Sequence, residues 1–156
     1  MTSKHPTVAG AGEAQGMTRQ QMLDFFARRS DAYDDLDAAA LSADYADDAV
    51  IESPTAGLHV GPEAAERTFR AIFGAFLDLT TKVDTLIIDG NHAVTLLSIE
   101  GTHIGEFLGL PPTGKRFTMS AVFFYELQGG KIVRERRIYD FTGLLVQIGA
   151  LKAKPA

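Results

Sequence analysis

The feature that most constrains this chain is a change of hydrophobic period near Asp78. Before it, apolar residues recur at the three-to-four spacing of helices; after it, they alternate. Met22, Phe25, Phe26, Ala32, Tyr33 and Leu36 form one helical stripe, and Ala65, Phe69, Ile72, Phe73 and Phe76 form another. Residues 81–89, 92–106, 116–127 and 131–140 read as strands. Helices followed by a four-strand antiparallel meander predict an α+β fold.

Local signals place the boundaries. Thr18-Arg-Gln-Gln21 is a capping box that starts the first helix. Asp37 caps a short second helix running through Leu41 and Tyr45. Val50-Ile-Glu52 reads as a short strand ending at Pro54, and Gly61-Pro62 opens the next helix. Asp89-Gly-Asn91 and Gly129-Gly130 are turns between strands. Leu108–Gly114 is a structured loop, and Gly143–Gly149 is a short final helix. Residues 1–16 are small and polar and are expected to be a disordered tail. Residues 17–150 then form one domain, and 151–156 a C-terminal tail.

Composition excludes several functions. The chain has no cysteine, so it carries no disulfide, thiol nucleophile or Cys-type zinc site. Its net charge of −5 argues against nucleic acid as a partner. No apolar run approaches the ~20 residues that cross a bilayer, and the start lacks a signal-like apolar block. No membrane association and a cytoplasmic location are the expectation. The charge is uneven: residues 1–78 carry 6 basic and 13 acidic side chains, and residues 115–137 carry six basic and two acidic.

Some motifs are decoys. Gly109-Leu-Pro-Pro-Thr-Gly-Lys115 resembles a phosphate loop, but Arg116 stands where Ser or Thr would hold magnesium. Its prolines lack N–H groups, and it leads into a strand. The acids at 31, 34, 35, 37, 44, 47 and 48 lack the order of a calcium loop and read as a solvated face with caps. His5, His59, His92 and His103 are scattered, so no metal site is expected. There is no Gly-x-Ser-x-Gly elbow.

What remains is a set of residues that can surround a cavity. On strand 116–127 the odd positions, including Met119, Phe123 and Tyr125, are all apolar or aromatic. That face should turn toward Phe25 and Tyr33 of the first helix and Phe69 and Phe73 of the third. His103 is in phase with Ala93, Thr95, Leu97 and Ile99, and a neutral imidazole in an apolar pocket is a usable base. On the last strand Glu135, Arg137 and Tyr139 share one face, and Arg134, Arg136 and Asp140 the other. A two-residue turn at Gly129-Gly130 and a bulged three-residue turn send opposite faces inward. The hairpin signal alone leaves that choice open.

The chain resembles the SnoaL-like polyketide cyclases, within the nuclear-transport-factor-2-like (cystatin-like) superfamily. The resemblance rests on Gly101-Thr-His-Ile-Gly-Glu-Phe-Leu-Gly-Leu-Pro-Pro-Thr-Gly-Lys115, Gly130-Lys-Ile-Val133 and Asp140-Phe-Thr-Gly-Leu-Leu-Val-Gln-Ile-Gly149. Asp44-Tyr-Ala-Asp-Asp-Ala-Val50 and Gly61-Pro-Glu-Ala64 fit its first half. It implies a cone, a curved sheet wrapped around helices with a pocket inside. It also implies homodimers through the convex sheet face, no cofactor, and aldol ring closure with an acidic side chain moving a proton. Family cyclases typically carry Trp and Asp in mid-strand where this chain has Arg136 and Arg137, while Asp140 is retained.

The resemblance also makes the Glu135–Arg137–Tyr139 face the inward one. An arginine cannot act as base near neutral pH, but it stabilises an enolate or binds a carboxylate. The candidate catalytic residues are His103 as base, Arg137 as anion stabiliser, Glu135 or Tyr139 as orienter, and Asp140. Tyr139 joins the aromatic residues named above as a ligand contact. Two readings of the pocket stay open, beside a third in which the chain is an interaction module that dimerises through the convex sheet face. One is a cofactor-independent cyclase or isomerase acting on a small polyketide-like or carbonyl compound. The other is a non-catalytic protein of the same fold that binds a small, apolar and anionic ligand.

Overall fold

The computed structural model describes residues 16–153. The expected N-terminal tail, Gly16 apart, and residues 154–156 lie outside the described residues. Helix α1 (Arg19–Asp34) starts at the capping box: Thr18 accepts from Gln21 N–H, and the Gln21 side chain accepts from Thr18 N–H. Asp37 accepts from Ala40 N–H at 2.9 Å and caps α2 (Ala38–Ser42). Helix α3 (Gly61–Ala75) has Pro62 in its first turn, where the missing N–H costs nothing.

The strands are β1 (Tyr45–Ser53), β2 (Gly57–Val60), β3 (Thr80–Asp89), β4 (His92–Thr102), β5 (Arg116–Gln128) and β6 (Lys131–Tyr139), followed by helix α4 (Phe141–Gln147). The meander of β3 to β6 is present, but the sheet is larger than four strands and is mixed. Its order is β2-β1-β6-β5-β4-β3, with β1 parallel to β6 and β2 antiparallel to β1. Strand β1 begins at Tyr45, five residues before the expected Val50. The start was hidden by Asp47 and Asp48, which face solvent while Tyr45, Ala49 and Ile51 are buried. Tyr45 therefore belongs to a strand and not to the second helix. Strand β2 is four mostly exposed residues, too short for alternation to register. Strand β4 stops at Thr102, and residues 103–115 form the loop.

The β5–β6 hairpin resolves which face of the last strand looks inward. Gly129 and Gly130 both have positive φ, 57° and 77°, the backbone of the two-residue hairpin turn. Gln128 pairs with Lys131 and Leu127 with Ile132, but Glu126 then pairs with Arg134. Val133 is thus an extra residue, a bulge one step past the turn. It changes the phase, so Glu135 comes opposite Tyr125 and Arg137 opposite Phe123. Ile132, Glu135 and Arg137 are buried; Arg134, Arg136 and Ile138 are exposed. The tight turn and the bulge both occur, and together they bring the Glu135–Arg137–Tyr139 face inward.

Candidate active site

Between the sheet and the helices lies an aromatic-lined cavity that opens to solvent at its mouth. Phe69, Ile72 and Phe73 of α3, with Phe76 just past its end, form one wall, and Phe117, Met119 and Phe123 of β5 the opposite one. Phe107 of the loop and Leu144 of α4 help to line it. The polar groups on the wall are few: Tyr33, Thr55, Thr81, Arg137 and Tyr139.

Arg137 is the only charged residue on that wall among the described residues. Its guanidinium carbon lies 4.9 Å from the Phe69 ring centre and 5.2 Å from that of Phe123. The cation is thus sandwiched between two aromatic faces. Nε donates to Glu135, and Nη2 donates to the Tyr45 hydroxyl at 3.2 Å. Among the described residues Nη1 has no such partner. A planar fork held at two nitrogens leaves its third free for a ligand.

Behind Arg137 runs a buried network. Tyr45 donates to Glu135 and accepts from Arg29 Nη2 at 3.0 Å. Arg29 Nη1 donates to Asp44 at 2.8 Å and to the Leu41 carbonyl at 3.0 Å. Two buried arginines thus face two buried carboxylates, and charge balances without solvent. Burial alone would raise the Glu135 carboxyl, but the Arg137 and Arg29 guanidiniums outweigh it and hold it below its usual range. Burial likewise pushes Tyr33, Tyr45 and Tyr125 up, so all three stay un-ionised.

The structure brings some expected residues to the cavity and removes others. Tyr33, Phe69, Phe73, Met119, Phe123, Arg137 and Tyr139 line it. Phe25 and Tyr125 do not: Phe25 packs edge-on against Phe26, and Phe26 against Tyr125, deeper in the core. Asp140 is exposed and caps α4, accepting from Gly143 N–H at 2.7 Å. Glu135 is engaged by Arg137, Tyr45 and Arg29 and supports the wall from behind.

His103 is fully buried but lies behind the wall, against the rings of Phe76 and Phe107 at 5.7 and 6.4 Å. Its Nδ1 accepts from Thr113 N–H at 3.3 Å, with the Thr113 hydroxyl at 3.1 Å. Its Nε2 is buried and has no hydrogen-bond partner among the described residues.

Sequence reasoning missed Arg29, Asp44, Tyr45 and Thr55. Arg29 had a signal, because the stripe Met22, Phe25, Phe26, Ala32 passes through position 29. Asp44 was grouped with solvated acids, yet it is buried and paired with both Arg28 and Arg29 at 2.8 Å. His59 faces inward beside Ile51, with both ring nitrogens unpartnered among the described residues. Burial first, and then Arg137, lower its basicity. No group of three His, Asp or Glu side chains converges as a metal site among the described residues.

Residues 20–148 match the family described as SnoaL-like polyketide cyclase. Nogalonic acid methyl ester cyclase of Streptomyces nogalater is 31% identical over 117 residues, which is 74% of this chain and 84% of that protein. AclR from Streptomyces galilaeus superposes with a TM-score of 0.76 at 22% identity, covering 88% of this chain and 87% of that one. A protein with a ketosteroid isomerase-like fold from Catenulispora acidiphila superposes with a TM-score of 0.67 at 16% identity, covering 81% and 92%. At those identities the two structures speak for the fold alone. A curved sheet of this order over an aromatic pocket, and a match spanning nearly the whole described chain, make this protein a member of the SnoaL-like polyketide cyclase family.

Proposed function

We propose that this chain is a cofactor-independent enzyme of the cyclase or isomerase type, acting on a small polyketide-like carbonyl compound. The observation that carries the reading is Arg137: a fixed cation, clamped by Glu135 and Tyr45, on the wall of an aromatic cavity. That group suits an enolate, whose charge appears only as the reaction proceeds. In an aldol closure, a C–H bond next to one carbonyl breaks and its electron pair becomes the enolate. A C–C bond then forms to a second carbonyl of the same molecule, and the new alkoxide takes up the proton. Nothing is gained or lost overall, so no co-reactant is needed. The curated relative named as a methyl ester cyclase supports this class of substrate.

No carboxylate or imidazole lines the cavity among the described residues. The wall therefore supplies charge and hydrogen-bond donors, and solvent at the mouth carries the proton. The same observation favours the second reading, a binding protein. The test is incubation with a polyketide methyl ester, following its isobaric ring-closed product by chromatography and mass spectrometry. Closure above background supports the enzyme; fluorescence-detected binding without closure supports the binding protein; neither overturns both. Arg137→Lys keeps the charge but loses the fork, and is expected to lower turnover by roughly 10²-fold. Pairing of two copies through the outer sheet face belongs to the same proposal.

A further inference from the structure

Beside the main cavity is a second, smaller chamber, bounded by Phe26, Arg29, Tyr33, Thr95 and Tyr125 among others. Tyr33 and Thr81 line both spaces, so Tyr33 stands in the partition. Three polar atoms on this chamber's residues are buried and have no hydrogen-bond partner among the described residues: Arg29 Nε, Thr95 Oγ1 and Tyr33 Oη. The three residues come from two different elements, α1 and β4. Each unpaired buried polar group costs about 1–3 kcal/mol, so three around one small space call for a shared partner. The chamber is of a size that holds one water.

We propose that this chamber is an internal water site, and that its water fixes the direction of the Tyr33 hydroxyl. Arg29 Nε–H is only a donor, and its cation turns the water oxygen toward itself. The two water hydrogens then point away, one to Thr95 Oγ1 and one to Tyr33 Oη. Tyr33 accepts from the water and is left with its own O–H to donate into the main cavity. Burial keeps that hydroxyl un-ionised. The cavity thus presents two donors, Tyr33 O–H and Arg137 Nη1–H, and no competing acceptor from the Tyr33 side. A ligand whose oxygen at this end is a carbonyl, enolate or phenolate is selected over one offering only a donor. This deepens the proposed function and rests on it for the identity of the ligand; the water itself does not.

Two experiments separate those layers. A crystal structure at a resolution that shows buried waters is expected to place one water within hydrogen-bond distance of Arg29 Nε, Thr95 Oγ1 and Tyr33 Oη. A chamber filled by side chains, or a water missing any of the three contacts, overturns the site. Water-relaxation dispersion gives the same answer in solution, with one long-lived water lost in Thr95→Val and kept in Thr95→Ser. For ligand polarity the probes are 9,10-anthraquinone and anthracene, followed by fluorescence. Thr95→Val is expected to weaken anthraquinone about tenfold and leave anthracene unchanged. Equal weakening of both, or of neither, with the water confirmed, overturns the polarity argument and leaves the water site standing.

Discussion

At the residue scale, the site is organised by Glu135 more than by any residue that meets a ligand. Its carboxylate is fully buried and is held by Arg137, Tyr45 and Arg29. Removing one partner of such a network leaves uncompensated buried charge, which costs about 3–5 kcal/mol. Glu135→Gln is expected to lower stability by about that amount in urea unfolding. The pH dependence follows from the same contacts. The folded carboxyl titrates below its ordinary value, so its contribution is fully present above the unfolded pKa of about 4.3. It is lost as pH falls through the folded value. An acid-side decline in the urea midpoint that is shallower in Glu135→Gln checks this; identical slopes would refute it. Arg137 and Glu135 were legible in the sequence because charge on a strand beside an apolar strand is anomalous. Which carboxylate met which guanidinium was not legible, since Arg29 and Asp44 lie far from them in the chain and meet them only through packing.

At the element scale, the alternation of residues 81–140 was enough to find four strands, because period and turn chemistry agree there. It caught only Val50–Glu52 of β1, which pairs with distant β6 and whose polar residues break the pattern, and it missed β2, which is only four residues long. Placement of the loop 103–115 also depends on tertiary contact. Ile104 and Gly105 both donate to the Ala75 carbonyl at 3.0 Å, docking the loop on the end of α3. A Cβ on Gly105 would sit 2.0 Å from the Gly74 carbonyl oxygen. Gly105→Ala should therefore cost about 1–3 kcal/mol and shift the loop that carries Phe107 to the cavity. Gly74, directly across that contact, has open space where a Cβ would go. It lies in a helix, so Gly74→Ala should stabilise by about 0.5–1 kcal/mol. Thermal unfolding of the pair checks both signs, and two destabilising results would show that the docked loop has been misread.

At the scale of the whole molecule, the uneven charge acquires a location. Of the six basic residues within 115–137, Arg137 alone reaches the cavity; Lys115, Arg116, Lys131, Arg134 and Arg136 are exposed. The outer face of the sheet therefore mixes positive charge with exposed apolar side chains, among them Ile87, Leu96 and Ile138. These lie on β3, β4 and β6, with β5 between the last two, so they span the sheet. Apolar groups dispersed over one sheet face are a liability for an isolated chain and an asset for a pair. If two copies meet there, each inner cavity stays open at its own mouth, and pairing braces β6 from behind without touching the ligand. Ile138→Asp puts a charge at the centre of the proposed contact, on the side of β6 opposite Arg137 and Tyr139. Sedimentation should show wild type as a dimer and Ile138→Asp as a monomer of unchanged circular dichroism. A monomeric wild type, or an unaltered dimer in the variant, would remove the outer sheet face as the contact.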